Sequence, residues 1–362
     1  MTTTASGPAP FLRLTGDPFE LGRQHGAARA TALRAFLDDG LARLNHLLDT
    51  PVSLSSLGPT LTEFEKEIEA ATPELAEETR GLAAGAGISR PEALLLQLRR
   101  EIAGYRSTRR RPHGDCTTYA RVDGSGPHTV LAQTVDLNGN LDDQTCVLSI
   151  SRAGARRDVL MLSFGGLLGY LGMNSDGLAV GINLVLGGRW RPGLPPYLAV
   201  RHVLDSAGSV DEALEVLSRL RLASSRSLTL CDSSGAACAE FLDGRMHVVR
   251  AAQTVHTNHF LHPEFIPFDE LNVFAKNSSL RRLDACTVRL SALPESASPR
   301  DHLGLLSTPP IFVPDNGDIR RERTVAVVAM RPAVGDLHLL GSRPSALPQV
   351  FTAGEMSGAA GT

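Results

Sequence analysis

The stretch "RRRPHGDCTTYARVDGSG", residues 109–126, passes from a basic tract through Pro-His-Gly-Asp into Cys116-Thr117-Thr118 and an apolar–polar alternation. A cysteine at a loop-to-strand junction is ordinarily a buried strand residue, but it also suits self-cleavage. Its sulfur can attack the carbonyl of Asp115, an N-to-S shift gives a thioester, and water releases a chain that begins with Cys116. The new terminus carries nucleophile and base in one residue, because a free α-amine titrates at about 7.7–8.0. Three further groups could serve such a nucleophile. Asp136, in "LAQTVDLNGN", either turns the chain at a strand end or orients and polarises that amine. Asn258, in "VHTNHF", either caps a strand end or donates its amide to the oxyanion of a tetrahedral intermediate. His256 shares its strand face, while Thr257 and His259 share the other. The run "DIRRERTVAVV" reads as a solvated face, or as an arginine that holds a substrate carboxylate in bidentate fashion.

Two kinds of segment must position these residues. Residues 17–105 read as helical, with Asp17-Pro18 as one start, Pro73 and Pro91 as two others, and apolar residues at three- and four-residue spacing. From residue 116 the period becomes two. "CTTYARV", "HTVLAQTVDL", "QTCVLSISRA" and "DVLMLSF" read as strands, and "GYLGMNSDGLAVGINLV" as a hairpin that turns at residues 174–177. Two amphipathic helices follow in "YLAVRHVLDSA" and "SVDEALEVLSRL". After them come strands in "RSLTLCDSSGAACAEFL" and "MHVVRAAQTVHTNHF", a loop-rich segment, and a closing hairpin from "RTVAVVAMRP" to "GDLHLLG". "FGGLLGYLG" lacks dinucleotide spacing, and its glycines suit close packing beside a pocket. Strands, a helix pair and strands again predict sheets covered by helices.

Composition narrows the function classes. With 362 residues, 42% hydrophobic and 21% charged residues and a net charge of −3, the chain reads as soluble and globular. No charge bias points to nucleic acid or an anionic membrane. The N-terminus lacks the pattern of a secretion signal, and no span of 18 apolar residues occurs, so a cytoplasmic location is expected. Five cysteines without a C-x-x-C pair disfavour a disulfide framework and a thiolate zinc site. The His-x-Asn-His run lacks an acidic or cysteine ligand at suitable spacing, so no metal is expected.

Taken together, "GDPFELGRQHG", "PELAEETRGLAAGAGISRPEALLLQ", "DCTT", "LAQTVDLN", "GYLGMNSDGLAVGINLV", "RHVLDSAGSVDEALEVL" and "HTNHF" resemble, in order and spacing, one family. It is the acyl-coenzyme A:6-aminopenicillanic acid acyltransferase-like proteins, cysteine N-terminal nucleophile (Ntn) hydrolases. The resemblance implies an α+β fold, a four-layer αββα sandwich, and cleavage between Asp115 and Cys116. Residues 1–115 would become a helical smaller subunit that stays bound to a catalytic chain of residues 116–362. Carried over residue by residue, Cys116 is the nucleophile, Asp136 its polar support, Asn258 an oxyanion donor, and an arginine of 320–323, by preference Arg321, lines the site. Thr117, Tyr170, Asn174 and His256 are the expected pocket residues. The sequence departs from the pattern at two places. Asp115 precedes the nucleophile where Gly is expected, and Gln97 with Arg99 stands where Asn-x-Arg is frequent, which predicts a different substrate-side wall.

The reading that follows is an acyltransferase that passes an acyl group through a Cys116 thioester to the amine of a small molecule in secondary metabolism. An acyl-CoA or acyl-carrier-protein thioester would be the co-substrate, with a carrier protein as partner in the second case and no bound cofactor. Water as acceptor would make an amide hydrolase instead. A papain-like protease fits the order Cys116, His256, Asn258 but lacks its cysteine context. An uncleaved binding protein on the same fold is the remaining alternative.

Overall fold

The computed structural model describes residues 7–105, 116–123, 127–343 and 346–352. The chain opens with strand β1 (Phe11–Gly16) and then turns helical, as α1 (Pro18–Asp38), α2 (Leu44–Leu47), α3 (Leu54–Ala71), α4 (Pro73–Ala86) and α5 (Arg90–Tyr105). The Asp17 side chain accepts from the Glu20 N–H at 2.9 Å and Pro18 fills the first turn of α1, while Gly87, at φ +63°, ends α4. β1 was not legible as a strand. It pairs in parallel with a strand from beyond Cys116, so the leading segment is not purely helical.

From Cys116 onward come β2 (Thr118–Arg121), β3 (Val130–Leu137), β4 (Thr145–Arg152), β5 (Asp158–Phe164), β6 (Leu171–Asn174) and β7 (Ala179–Leu184). Helices α6 (Pro196–Ser206) and α7 (Val210–Ser218) precede β8 (Arg226–Cys231), β9 (Ala236–Leu242), β10 (Arg245–Ala251) and β11 (Gln253–His256). The stretch expected to be loop-rich holds two helices, α8 (Val273–Ala292) and α9 (Pro299–Leu306), before β12 (Arg323–Arg331), β13 (Asp336–Gly341) and β14 (Gln349–Thr352).

The strands form two sheets, ordered β1-β4-β5-β6-β7-β8-β9-β10 and β11-β2-β3-β12-β13-β14. They face each other, and Gln133 on β3 spans the gap: its amide donates to the Ile182 carbonyl of β7 at 2.7 Å and accepts from its N–H at 2.9 Å. Gly181 makes that approach possible, since a Cβ there would lie 2.8 Å from the Gln133 amide oxygen. Helices α6 and α7 cover the eight-stranded sheet. On the other side, Leu290 of α8 and Leu303 and Leu306 of α9 pack against Tyr119, Val130 and Val327 of the six-stranded sheet. Helix, sheet, sheet and helix give the expected four layers, the αββα sandwich.

The leading helices are built into this body. α1 and α4 cross at backbone contact, where a Cβ on Gly22 would lie 1.9 Å from the Glu78 carbonyl oxygen and one on Gly81 2.0 Å from that of Phe19. Glu78 of α4 pairs with Arg201 of α6 through two 3.0 Å bonds, both side chains fully buried. Glu101 of α5 pairs likewise with Arg226 of β8 at 3.0 Å. Among the described residues no helix is long and apolar enough to cross a membrane.

Candidate active site

Cys116 immediately precedes β2 and is buried. Asp115 lies outside the described residues, so the expected cleavage junction and the boundary at 115 are not described by the structure. The Thr117 N–H donates to the Thr134 hydroxyl at 2.9 Å, and that hydroxyl donates to Asp136 Oδ2 at 3.1 Å. This fixes the start of β2 beside the end of β3. The Asp136 N–H consequently donates to Cys116 Sγ at 3.4 Å, and the thiol faces the Asp136 carbonyl oxygen at 3.6 Å. Burial first, and the Asp136 carboxylate second, push the Cys116 thiol up to about 12, against the opposing hydrogen bond from the Asp136 backbone. Sγ is therefore a neutral thiol in this arrangement and needs a base to become a nucleophile.

The Cys116 carbonyl accepts two bonds, from Asn183 Nδ2 at 3.1 Å and from Arg282 Nη1 at 2.8 Å. Arg282, fully buried on α8, also donates to Thr117 Oγ1 at 3.1 Å and to Asn258 Oδ1 at 2.9 Å. Asn258 follows the end of β11, so it escapes the strand alternation that would have kept it from sharing a pocket with its neighbours. Its backbone N–H donates to Ser279 of α8 at 2.9 Å, and its amide to the Leu184 carbonyl at 2.9 Å. Cys116, Thr117, Asp136 and Asn258 are thus brought together, with Arg282 joining three of them.

A narrow cavity of roughly 280 Å³, solvent at its mouth included, holds Cys116 and Asp136 together with Arg100, Tyr170, Tyr197 and Arg226. Tyr170, Tyr197, Arg100 and Leu137 also line a wider cleft of roughly 480 Å³, whose other walls include Leu96, Gln97, Arg99, Leu141, Phe164, Gly165 and Leu167. Tyr170 stacks on Tyr197 at 5.0 Å and meets Phe164 edge-on at 5.2 Å. Gln97 and Arg99 are thus wall residues, and Gly165 of "FGGLLG" borders the cleft. The Gln97 amide donates to the Gly166 carbonyl at 2.9 Å and accepts from the Leu168 N–H at 3.0 Å, fixing that loop.

Thr117 and Asn258, though bonded into this network, line neither cavity, and three expected residues are elsewhere. Arg321 is exposed and lines neither cavity; in the run 320–323 the buried residue is Glu322, whose carboxylate accepts from Arg100 at 2.7 Å. Strand entry turns Arg323 toward Asp142 and leaves Arg321 in solvent. His256 is not a pocket residue: it meets Glu240 at 2.7 Å, and Glu240 also accepts from the Leu261 and His262 N–H groups. Asn174 is structural, because its amide donates to the Leu204 and Ala207 carbonyls at 2.8 and 2.6 Å and its oxygen caps the hairpin turn. Sequence reasoning missed Arg282, Asn183, Arg100 and Tyr197. Only Arg100 carried a signal, lying one residue beyond the Gln97–Arg99 departure. A possible metal-donor set, His247, His262 and Glu264, lies apart from both cavities. Its imidazoles stack nearly parallel, 3.8 Å apart, so no ion lies in both ring planes.

The family profile described as acyl-coenzyme A:6-aminopenicillanic acid acyl-transferase matches residues 123–333. The chain belongs to that family. The 40 kDa form of acyl-coenzyme A:6-aminopenicillanic-acid-acyltransferase from Emericella nidulans is 28% identical over 251 residues, 68% of each chain. Among solved structures, a conjugated bile acid hydrolase variant from Clostridium perfringens is similar at 11% identity. It covers 66% of this chain and 92% of its own, with a TM-score of 0.50. Penicillin V acylase from Agrobacterium tumefaciens, at 18% identity, covers 65% of this chain and 85% of its own, with a TM-score of 0.46. The fold is that of the Ntn hydrolases, and the family is one of acyltransferases.

Proposed function

We propose that this protein is a self-activating acyltransferase in which Cys116, freed as an N-terminal residue, carries the acyl group as a thioester and delivers it to the amine of a small molecule. The observation that carries the reading is the placement of the Cys116 thiol against Asp136 in a cavity that shares Arg100, Leu137, Tyr170 and Tyr197 with a largely apolar cleft, with Asn258 tied to the same residue through Arg282. In the first turnover Sγ attacks the Asp115 carbonyl. The Asp115–Cys116 C–N bond breaks, the nitrogen takes the thiol proton, and water hydrolyses the resulting thioester to free the amine and the Asp115 carboxylate.

Thereafter the α-amine removes the thiol proton, which a thiol held up at about 12 requires. Sγ adds to the donor carbonyl, and the ammonium returns that proton to the leaving group as the C–S bond forms. The Asn258 amide has a second hydrogen beyond the one given to Leu184, and that hydrogen would serve the oxyanion. An amine then adds to the acyl thioester and Sγ leaves as the thiolate, taking back the proton the amine loses. Exclusion of water by the apolar walls favours transfer over hydrolysis. The donor is an acyl-CoA or acyl-carrier-protein thioester in the cytoplasm, and the two pieces stay together through the buried Glu78–Arg201 and Glu101–Arg226 pairs.

Intact mass and N-terminal sequencing of the purified protein test the first step: the expected result is two chains, the larger beginning Cys-Thr-Thr. Incubation with an acyl thioester should add one acyl mass to the Cys116 peptide, and a competing amine should discharge it faster than buffer alone. Discharge at the same rate with and without amine would turn the assignment to a hydrolase. Cys116→Ala should lose cleavage and acylation together, and a single uncut wild-type chain that never acquires the adduct would overturn the proposal.

A further inference from the structure

Three arginines line the cavities beside Cys116, and two of them are neutralised. Arg100 is held by Glu322, and Arg226 by Glu101. The third, Arg99 on α5, uses its Nε to donate to the Ala42 carbonyl at 2.7 Å, but its Nη2, buried from solvent, meets no acceptor. Its charged neighbours are Arg43 and Arg100, both cations, and no carboxylate among the described residues pairs with it. Arg43 is itself committed to Asp39 and Asp143. Burial and the two cations lower the Arg99 pKa to about 9, which leaves it charged at neutral pH. The backbone opposite has no side chain: a Cβ on Gly139 would stand 2.2 Å from Nη2, and Gly139 adopts a φ of +88° that favours glycine.

A buried guanidinium without a counter-ion is costly, and folded proteins pair or ligate such charges. The Arg99 side chain forms part of the wall of a mostly apolar cleft, where Leu96, Leu137, Leu141, Phe164 and Leu167 stand beside the polar Gln97 and Asn138. The occupant that satisfies both features is an apolar chain or ring that carries an anion. We propose that Arg99 is the specificity-determining residue of the cleft and receives an anionic group, carboxylate or phosphate, borne by the acyl donor. This rests on the reading of Cys116 as the acylated nucleophile. The anion belongs either to the acyl chain, as in a dicarboxylic half-thioester, or to the phosphates of a coenzyme A leaving group. Planar, five-donor guanidinium chemistry suits either oxyanion.

The test uses the mature enzyme and Arg99→Met, with dicarboxylic acyl groups of four to six carbons and monocarboxylic acyl groups of equal length, each as an N-acetylcysteamine and a coenzyme A thioester. Rates of thiol release give kcat and KM. The expected result is a preference of the wild type for one anionic donor by about 10- to 100-fold, the range of a charge-assisted hydrogen bond. It should collapse toward unity in Arg99→Met, mainly through a rise in KM for the anionic donor. Collapse of the dicarboxylic preference assigns the anion to the acyl chain; collapse of the coenzyme A preference assigns it to the phosphates. Loss of activity on all donors alike, or both preferences unchanged, overturns the proposal. Melting of Arg99→Met at or above the wild-type temperature separates this from misfolding, because the variant removes an unpaired buried charge. A mass adduct on Cys116 from the neutral donor in both proteins keeps the nucleophile reading intact whichever way the Arg99 test falls.

Discussion

Helix α5 packs with α2, α3 and α4, helix α8 packs with α9 and β11, and each carries an arginine near Cys116 with a buried guanidinium donor. Arg282 of α8 finds an acceptor at every turn: the Cys116 carbonyl, Thr117 Oγ1 and Asn258 Oδ1. Arg99 of α5 leaves Nη2 without one. A guanidinium whose bonds all end on protein atoms holds a fixed geometry, and we assign Arg282 to positioning. One whose bonds are unfinished at the wall of a cleft is suited to a ligand. The same side chain thus divides by its partners into a device that orients Cys116 and Asn258 and a device that reads the donor.

Arg282→Met is the sharpest way to break that contrast. It strands the Asn258 amide oxygen in a buried setting, leaves the Cys116 carbonyl to Asn183 alone, and leaves the Asn258 amide held only through Leu184. Truncating one side of a buried charged network costs about 3–5 kcal/mol, and loss of an oriented oxyanion donor about 10²–10³ in kcat. Both losses are expected, read by chemical denaturation and by the rate of acyl-adduct formation on Cys116. Arg282→Lys, with no planar fork, should recover fold stability more than rate. A rate loss no greater than the stability loss explains would reduce Arg282 to a purely structural residue.

The two helices were unequally legible. α5 could be read from the run that Pro91 opens and from its unbroken apolar positions, and its two wall residues were flagged as a departure. α8 was read as loop, because two of the positions that face the six-stranded sheet are Ser279 and Arg282, and its solvent side shows Val273, Phe274 and Val288. Polar residues inside and apolar residues outside erase the amphipathic period on which such a reading depends. The reversal exists for the site: Ser279 holds Asn258, and Arg282 holds Asn258 and Cys116. Cys116, Asp136 and Asn258 were readable because each lies at a strand end, where local patterning changes. Arg321 was misplaced because a run of charges does not reveal which member the strand turns inward; here that member is Glu322.

A second way to sharpen the comparison is to turn a satisfied arginine into an unsatisfied one. Glu101 supplies the charge that neutralises Arg226, which packs under Trp190 and Tyr197. Glu101→Leu leaves that guanidinium buried and unpaired at the floor of the Cys116 cavity. The expected cost is about 3 kcal/mol of stability, toward the lower end for a broken buried pair because the cavity admits an ion. Anions at millimolar concentration should restore part of the melting temperature in this variant and not in Glu101→Asp. Absence of any anion effect would mean that an unpaired arginine beside the cleft does not by itself make an anion site, and would weaken the case for Arg99 with it.

The smallest expected effect concerns an unsatisfied group that faces no cleft. His25 of α1 is fully buried, neither ring nitrogen has a partner, and it lines neither cavity. Burial first, then the cations Arg29 and Arg201, lower its pKa to about 3 from 6.5. The unfolded chain takes up a proton below pH 6.5 that the folded chain refuses, so this residue makes stability fall as the pH drops from 6.5 toward 3, at about 1.4 kcal/mol per pH unit. His25→Leu, which keeps an apolar side chain of similar bulk, should match or exceed the wild type at pH 7. At pH 4.5 its advantage should grow by about 2–3 kcal/mol, measured by denaturant titration at the two pH values, with acylation of Cys116 at pH 7 unchanged. Arg99→Met should show the opposite pattern, with donor preference altered and the acid limb of stability unmoved. If the two variants behave alike, an unpaired buried polar group in this protein is a packing defect wherever it occurs, and the distinction between α5 and α8 would concern stability alone.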